Sequence, residues 1–486
     1  MTKELRRLSF VVLAMFLSLF VASSWIQVVD ADNLAQNAAN TRTRLDSYQI
    51  QRGSILVDDS AIVTSVPTGD RYQYQRVYTD AEMWAPVTGY FNPALQAATG
   101  IESALNSDLS GTGSNAFFAE IERILSGQPQ QGLSASLTLS AKAQRAAWDA
   151  MQEKGYQGAV VAIEPATGRI LAMVSTPGFD TNKLAAHDPA AVDAEHERLV
   201  ADPAKPLYNR AIAGNLNPPG STFKLVVATA ALRSGDWTLE STLPNPAVYQ
   251  LPGSDRQVSN AWKGTCGEGE TTTIAEALRR SCNIPMAELA VELGGEAIRE
   301  TAELYGFNTE FDIPLEATPS SYPPDLNAPQ TALTGFGQGQ VTATPLQMAM
   351  VAAGIANGGT VMTPRMVDAV IADDFETHTR FTDEAFDQVL TAAQARDLTA
   401  VLVEGVGSGA ATGARIDGVD VAGKTGTAEN GGNPYSLWFT GFAPAENPKV
   451  AVAVVVEDGG GRGQSGSGNG IAAPIAKKVI EAVLGR

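Results

Sequence analysis

Histidine is almost missing from this chain: His187, His196 and His378 are the only three among 486 residues. Each lies in a charged or alanine-rich polar stretch with Asp or Glu nearby, which reads as surface. A nucleophilic serine served by a histidine and a carboxylate is therefore excluded. Cysteine is scarcer still, with Cys266 and Cys282 alone, and two thiols without further ligands make no zinc site. Neither a metal nor any other cofactor is expected. Basic charge is also short. Lys and Arg number 34 against 53 Asp and Glu, a net charge of −19, and no basic block follows residue 7. Such a chain repels phosphate backbones, so nucleic acid is not an expected partner.

What is present begins at the N-terminus. From Leu8 to Val29 no residue is charged, and about 20 apolar residues suffice to cross a bilayer. Lys3, Arg6 and Arg7 precede the run while Asp30 and Asp32 follow it. That asymmetry predicts a cytoplasmic N-terminus, a retained single-pass anchor and an exported remainder. A cleaved signal peptide fits less well, because the run exceeds a signal core and no clear cleavage site follows.

Three short strings carry the chemistry. Pro218-Pro219-Gly220 ends an extended segment, Ser221-Thr-Phe-Lys224 follows, and Leu225 to Leu232 is an apolar run suited to a buried helix. With the helix starting at Ser221, residues three apart share a face, which predicts that the Lys224 amine reaches the Ser221 hydroxyl as its base. To act so, Lys224 must be neutral, its pKa falling from about 10.4 towards 7 or 8, a cost of roughly 3 to 5 kcal/mol. Apolar neighbours and a second cation, Lys424, would supply that shift. Ser281-Cys-Asn283 follows a helical segment, Ile274 to Arg280, and reads as a tight turn presenting a hydroxyl and a carboxamide. Lys424-Thr-Gly-Thr427 follows Gly418 to Gly423, whose Val, Asp, Val alternation predicts a strand. A lysine and two threonines on one strand edge make a carboxylate receptor, with Gly426 leaving room for a ligand against the backbone.

Gly418-x-x-x-x-Gly423-Lys424-Thr425 also satisfies the phosphate-loop pattern, and Val450 to Val456 with Glu457-Asp458 imitates its magnesium-binding strand. A phosphate loop must open a helix, whereas Gly-Thr-Ala-Glu-Asn-Gly-Gly-Asn-Pro434 cannot continue as one.

Ser-x-x-Lys, Ser-x-Asn and Lys-Thr-Gly in this order resemble the penicillin-binding protein and serine beta-lactamase superfamily. Gly158 to Gly168, Ile170 to Val174, Gly337-Gln-Gly-Gln340, Thr344-Pro-Leu-Gln347 and Trp438 to Phe442 resemble class B transpeptidases of peptidoglycan synthesis. Arg52-Gly-Ser-Ile55 resembles the start of that class's pedestal, and Arg76-Val-Tyr78 and Ala85 to Tyr90 resemble its actinobacterial A-type members. The resemblance covers nearly the whole chain. It implies an α/β (α+β) fold: an antiparallel sheet flanked by helices in the transpeptidase domain, an elongated N-terminal pedestal and one transmembrane helix. The expected division is 1–30 for tip and anchor, 31–150 for the pedestal and 151–486 for the transpeptidase domain.

The region before residue 150 is too short and irregular for a separate glycosyltransferase domain. An Asn- and Ala-rich stalk is expected over Asn33 to Asn40, a strand over Tyr72 to Tyr78 and an amphipathic helix over 141–154. Strands 158–165 and 169–175 form a hairpin, and Asp458 to Gly470 reads as a loop before a helix at Ile471 to Leu484.

The resemblance further implies roles. Ser221 is the nucleophile, Lys224 the base and Ser281 a proton relay. Asn283 orients the peptide amide, and Lys424 with Thr425 and Thr427 holds the terminal carboxylate. The backbone N–H groups of Ser221 and Thr427 form the oxyanion hole. The implied substrates are peptidoglycan stem peptides, with beta-lactams as mimics, and the implied partners are a membrane glycosyltransferase and elongation or division proteins. A class A beta-lactamase would carry Glu-x-x-x-Asn after Ser-x-Asn, and residues 284 to 308 contain none. In an exported protein Cys266 and Cys282, sixteen positions apart, are expected to pair, closing a loop worth roughly 3 kcal/mol.

Overall fold

The structure is a computed structural model that describes residues 3–26, 49–69, 72–92, 95, 97–112, 131–214, 216–372 and 377–486. The expected stalk at Asn33 to Asn40 and the last residues of the uncharged run lie outside these. Helix α1, Lys3–Ser24, has no buried residue and is long and apolar enough to cross a membrane.

The N-terminal region is built on β1 (Ile55–Val57), β2 (Ser60–Pro67), β3 (Tyr74–Tyr78) and β4 (Ser134–Leu137). Beneath them lies a charge cluster that explains two of the motifs read above. Glu102, fully buried, accepts from Arg52 Nη2 at 2.8 Å, Arg76 Nε at 2.5 Å and the Tyr78 hydroxyl at 3.1 Å. Arg52 also stacks on the Phe91 ring at 3.8 Å. A buried carboxylate this well matched is stable only while both guanidinium partners remain.

Helix α2, Ala141–Gln152, leads into β5 (Gly158–Ile163) and β6 (Ile170–Thr176), the expected hairpin. A helical middle follows: α3 (Lys224–Ser234), α4 (Ile274–Arg280), α5 (Ile284–Leu293) and α6 (Pro345–Ala356). The chain then returns through the hairpin β7 (Val367–Ile371) and β8 (Thr377–Arg380). The last elements are β9 (Ala422–Asn430), β10 (Asn433–Ala443), β11 (Val450–Val456) and α7 (Ala472–Val483).

Two sheets organise the molecule. One is antiparallel and five-stranded in the order β9-β10-β11-β5-β6. Helices α2 and α7 cover one face of it and α6 the other. Covered on both sides, β5 and β11 are buried at every position, which is why they read as continuous Val and Ala runs. Helix α6 is apolar all round for the same reason, with eleven of its residues buried. The other sheet has six strands in the order β8-β7-β4-β1-β2-β3, so residues on both sides of position 150 share it.

Two local expectations are corrected. The strand expected from Gly418 starts only at Ala422, because Gly418 has φ +70° and the chain turns there, with Ile416 bridging Val419. The helix expected at Ser221 starts at Lys224, since Gly220–Phe223 is a tighter 3-10 turn entered through Gly220 at φ +55°.

Candidate active site

The segment before Ser221 is fixed from three sides. The indole Nε1 of Trp438 on β10 donates to the Pro218 carbonyl at 2.9 Å, and Thr222 Oγ1 donates to Pro219 O at 2.7 Å. Gly220 N donates to Gly337 O at 2.9 Å, and the two backbones lie so close that a Cβ on Gly337 would stand 1.9 Å from Gly220 O. That contact accounts for the glycine in the Gly337-Gln-Gly-Gln340 string.

Lys224 is completely buried. Its Nζ donates to Ser281 O at 2.8 Å and Asn283 Oδ1 at 2.9 Å, with Ser281 Oγ at 3.4 Å. Lys424 approaches from β9, its Nζ donating to the same Ser281 Oγ at 2.7 Å and to Thr425 O at 3.1 Å. Ser281 Oγ thus stands between two buried amines. Burial pushes the Lys224 ammonium well below the lysine range, and the neighbouring Lys424 pushes it further. Burial also lowers Lys424, to about 7.

The expected direct contact differs: among the described residues no hydrogen bond joins Ser221 to Lys224. Lys224 Nζ is turned instead to the three acceptors of the Ser281-Cys-Asn283 turn.

The turn between α4 and α5 presents Ser281 in an unusual backbone state. Its φ of +65° is left-handed, a conformation that costs a non-glycine residue about 1–3 kcal/mol and persists where the surroundings over-determine it. Here they do. Ser281 N and Cys282 N close the end of α4 on Leu278 O and Ala277 O, and Cys282 is bonded to Cys266 with a Cα–Cα separation of 5.7 Å.

Strand β9 is the sheet's edge, paired among the described residues only with β10, so one side of its backbone is open to a ligand. Gly426 is required there, because a Cβ would stand 2.8 Å from Pro219 O. The two threonines differ. Thr425 Oγ1 gives its proton to Ala410 O at 3.0 Å, whereas Thr427 Oγ1 accepts from Gly468 N at 3.2 Å and keeps its proton to offer. A cavity of about 810 Å³ brings together Ser221, Ser281, Asn283, Thr425, Gly426 and Thr427, with Lys224 and Lys424 buried beneath. None of the three histidines lines it. The phosphate-loop geometry is absent, since Lys424 and Thr425 lie inside a strand.

Sequence reading missed Asn260, Gly468 and the Trp438 N–H. All three act across long separations, and only the glycine density of 458–470 hinted at a close backbone approach. A Cβ on Gly468 would stand 2.3 Å from Gly426 O.

The chain belongs to the penicillin-binding protein transpeptidase family: residues 158–481 match the penicillin binding protein transpeptidase domain. Residues 52–135 match the penicillin binding protein A dimerisation domain. The particular relatives are specific. The peptidoglycan D,D-transpeptidase PbpA of Mycolicibacterium smegmatis is 38% identical over 100% of this chain and 99% of its own length. Its Mycobacterium tuberculosis counterpart is 37% identical over the same spans. A solved structure of M. tuberculosis penicillin-binding protein A, a ceftriaxone acyl-enzyme complex, superposes with a TM-score of 0.87 at 37% identity, covering 90% of this chain and 100% of that one.

Proposed function

We propose that this chain is a serine D,D-transpeptidase that crosslinks peptidoglycan stem peptides through an acyl-enzyme on Ser221. The single observation that carries the reading is Ser281 Oγ held between the buried amines of Lys224 and Lys424 beside Ser221 in one cavity. Neutral Lys224 takes the Ser221 proton, and Ser221 Oγ attacks the carbonyl of the penultimate D-alanine. Backbone N–H groups of Ser221 and Thr427 receive the oxyanion, a contact worth about 3 kcal/mol per donor. The C–N bond breaks, Ser281 passes a proton to the leaving amine, and terminal D-alanine departs. An amine of a neighbouring stem then attacks the ester, Ser281 and Lys224 carry its proton to Ser221 Oγ, and the C–O bond breaks to release Ser221.

Lys424 and the Thr427 hydroxyl clamp the terminal carboxylate. The arriving anion raises the Lys424 pKa and keeps it charged. Thr425 contributes less, its proton being committed to Ala410. Asn283, bonded to Lys224, orients the substrate amide with its remaining N–H. Beta-lactams acylate Ser221 as mimics of the same peptide. Helix α1 anchors the enzyme with its N-terminus cytoplasmic and residues 31–150 as pedestal to the exported 151–486, and a membrane glycosyltransferase with elongation or division proteins are its partners.

The test is labelling of the detergent-solubilised protein by a fluorescent penicillin. Ser221→Ala should stay folded and take no label, and the wild-type adduct should persist for many minutes. A labelled Ser221→Ala variant would end the assignment, and rapid penicillin hydrolysis would make the protein a beta-lactamase.

A further inference from the structure

Helix α5 begins without the cap its own sequence offers. Asn283 occupies its N-cap position, and asparagine there ordinarily turns its side-chain oxygen back onto the helix N–H groups. Here it makes no such bond. Its Oδ1 accepts from Lys224 Nζ at 2.9 Å, and its Nδ2 donates to Ser259 O at 3.2 Å. The helix start is served instead by Asn260, a residue 23 positions upstream that is 1% exposed. Asn260 Oδ1 accepts from Asn283 N at 2.6 Å and Ile284 N at 3.2 Å, while its Nδ2 donates to Gly264 O at 2.8 Å. Pro285 has no N–H, so these two donors make up most of what the first turn must satisfy.

We infer that Asn260 is a positioning residue for acyl transfer: by accepting from the N–H groups of Asn283 and Ile284 it fixes the backbone of the turn from which the Asn283 side chain reaches Lys224. The inference rests on the roles proposed above for Lys224 and Asn283. The bonding makes the alternative concrete. Without the Asn260 oxygen the Asn283 and Ile284 N–H groups lose their partner, and a shift of this backbone carries Asn283 Oδ1 away from Lys224. Asn260, with the Asn283 Nδ2 bond to Ser259 O, also ties the segment 259–264 to the Ser281-Cys-Asn283 turn, alongside the Cys266–Cys282 bond.

The test uses a double-mutant cycle on the full chain, reading the second-order acylation rate by a chromogenic cephalosporin together with the melting temperature. Asn260→Ala should slow acylation by on the order of 100-fold, the loss expected when a reacting group is displaced by about 1 Å. Asn260→Asp keeps the accepting oxygen but sets its second oxygen against Gly264 O, so it should acylate faster than Asn260→Ala without reaching the wild-type rate. In an Asn283→Ala background, adding Asn260→Ala should cost no more than about two-fold, because the residue it acts through is already gone. A structural role alone would lower the melting temperature and leave the rate of folded protein unchanged. That result overturns the inference, as does an Asn260→Ala penalty that is undiminished in the Asn283→Ala background. Should Asn260→Ala fail to give a native circular dichroism spectrum, Asn260→Asp decides: acylation as slow as that of Asn283→Ala refutes the inference, and acylation clearly faster than that supports it. Labelling of Ser221→Ala would instead mark failure of the underlying functional reading.

Discussion

Replacing Lys424 with methionine should slow acylation sharply and at the same time make the protein more stable at neutral pH. Lys424 is 2% exposed, and burial lowers its pKa from 10.5 to about 7. At 1.36 kcal/mol per pKa unit, keeping the ammonium charged in the folded state costs on the order of 5 kcal/mol, which the unfolded chain does not incur. Methionine has nearly the same length and fills irregular apolar space. The substitution removes two charged hydrogen bonds, to Ser281 Oγ and Thr425 O, together about 3 kcal/mol. The balance is a gain of roughly 2 kcal/mol, or about 3 °C in Tm for a domain of this size. The pH dependence follows from the sign of the shift. A lysine whose folded pKa is depressed leaves stability intact above about pH 10.4, and that stability is lost as pH falls towards 7. The advantage of Lys424→Met should therefore be largest near pH 7 and vanish near pH 10. Thermal melts of wild type and variant at both pH values give the answer. A variant less stable at pH 7, or equally shifted at pH 7 and pH 10, would show that Lys424 carries no burial penalty.

Two further outcomes follow from the same electrostatics and from the pedestal. Acylation by a cephalosporin should rise with pH along a limb that reports Lys224 losing its proton. The residual acylation of Lys424→Met should show that limb moved to higher pH, because the cation that helps depress Lys224 is gone. A limb that stays put would mean the two amines do not communicate. Glu102→Gln should destabilise the folded protein by about 3–5 kcal/mol, since Arg52 and Arg76 would remain buried without a counter-charge. Chemical denaturation measures this, and a loss under about 1 kcal/mol would show that water already reaches the cluster.

The sheet that carries Lys424 was legible because its strands are unusual. Gly158 to Ile163 and Val450 to Val456 are apolar without alternation, which only a doubly covered strand can be. The nucleophile string was legible because an apolar helix follows it directly. Its exact geometry was not, since the left-handed Gly220 is set by Gly337 more than a hundred residues away. The start of β9 was misplaced because Val419 and Val421 mimic strand alternation while the chain is still turning. Glu102 gave no local signal at all, sitting in a short polar helix whose partners lie 26 and 50 positions upstream. Pairings of that kind are decided by tertiary packing, where one sequence read alone has nothing to compare.

The six-stranded sheet, finally, sets an order of events. Its strands β7 and β8 come from residues 367–380, while β1 to β4 are finished by residue 137. In the order of synthesis, β4 has no partner on its β7 side until most of the catalytic sequence has followed. The base of the molecule is thus completed by a late hairpin, and an isolated fragment ending near residue 150 would carry a bare strand flank open to aggregation.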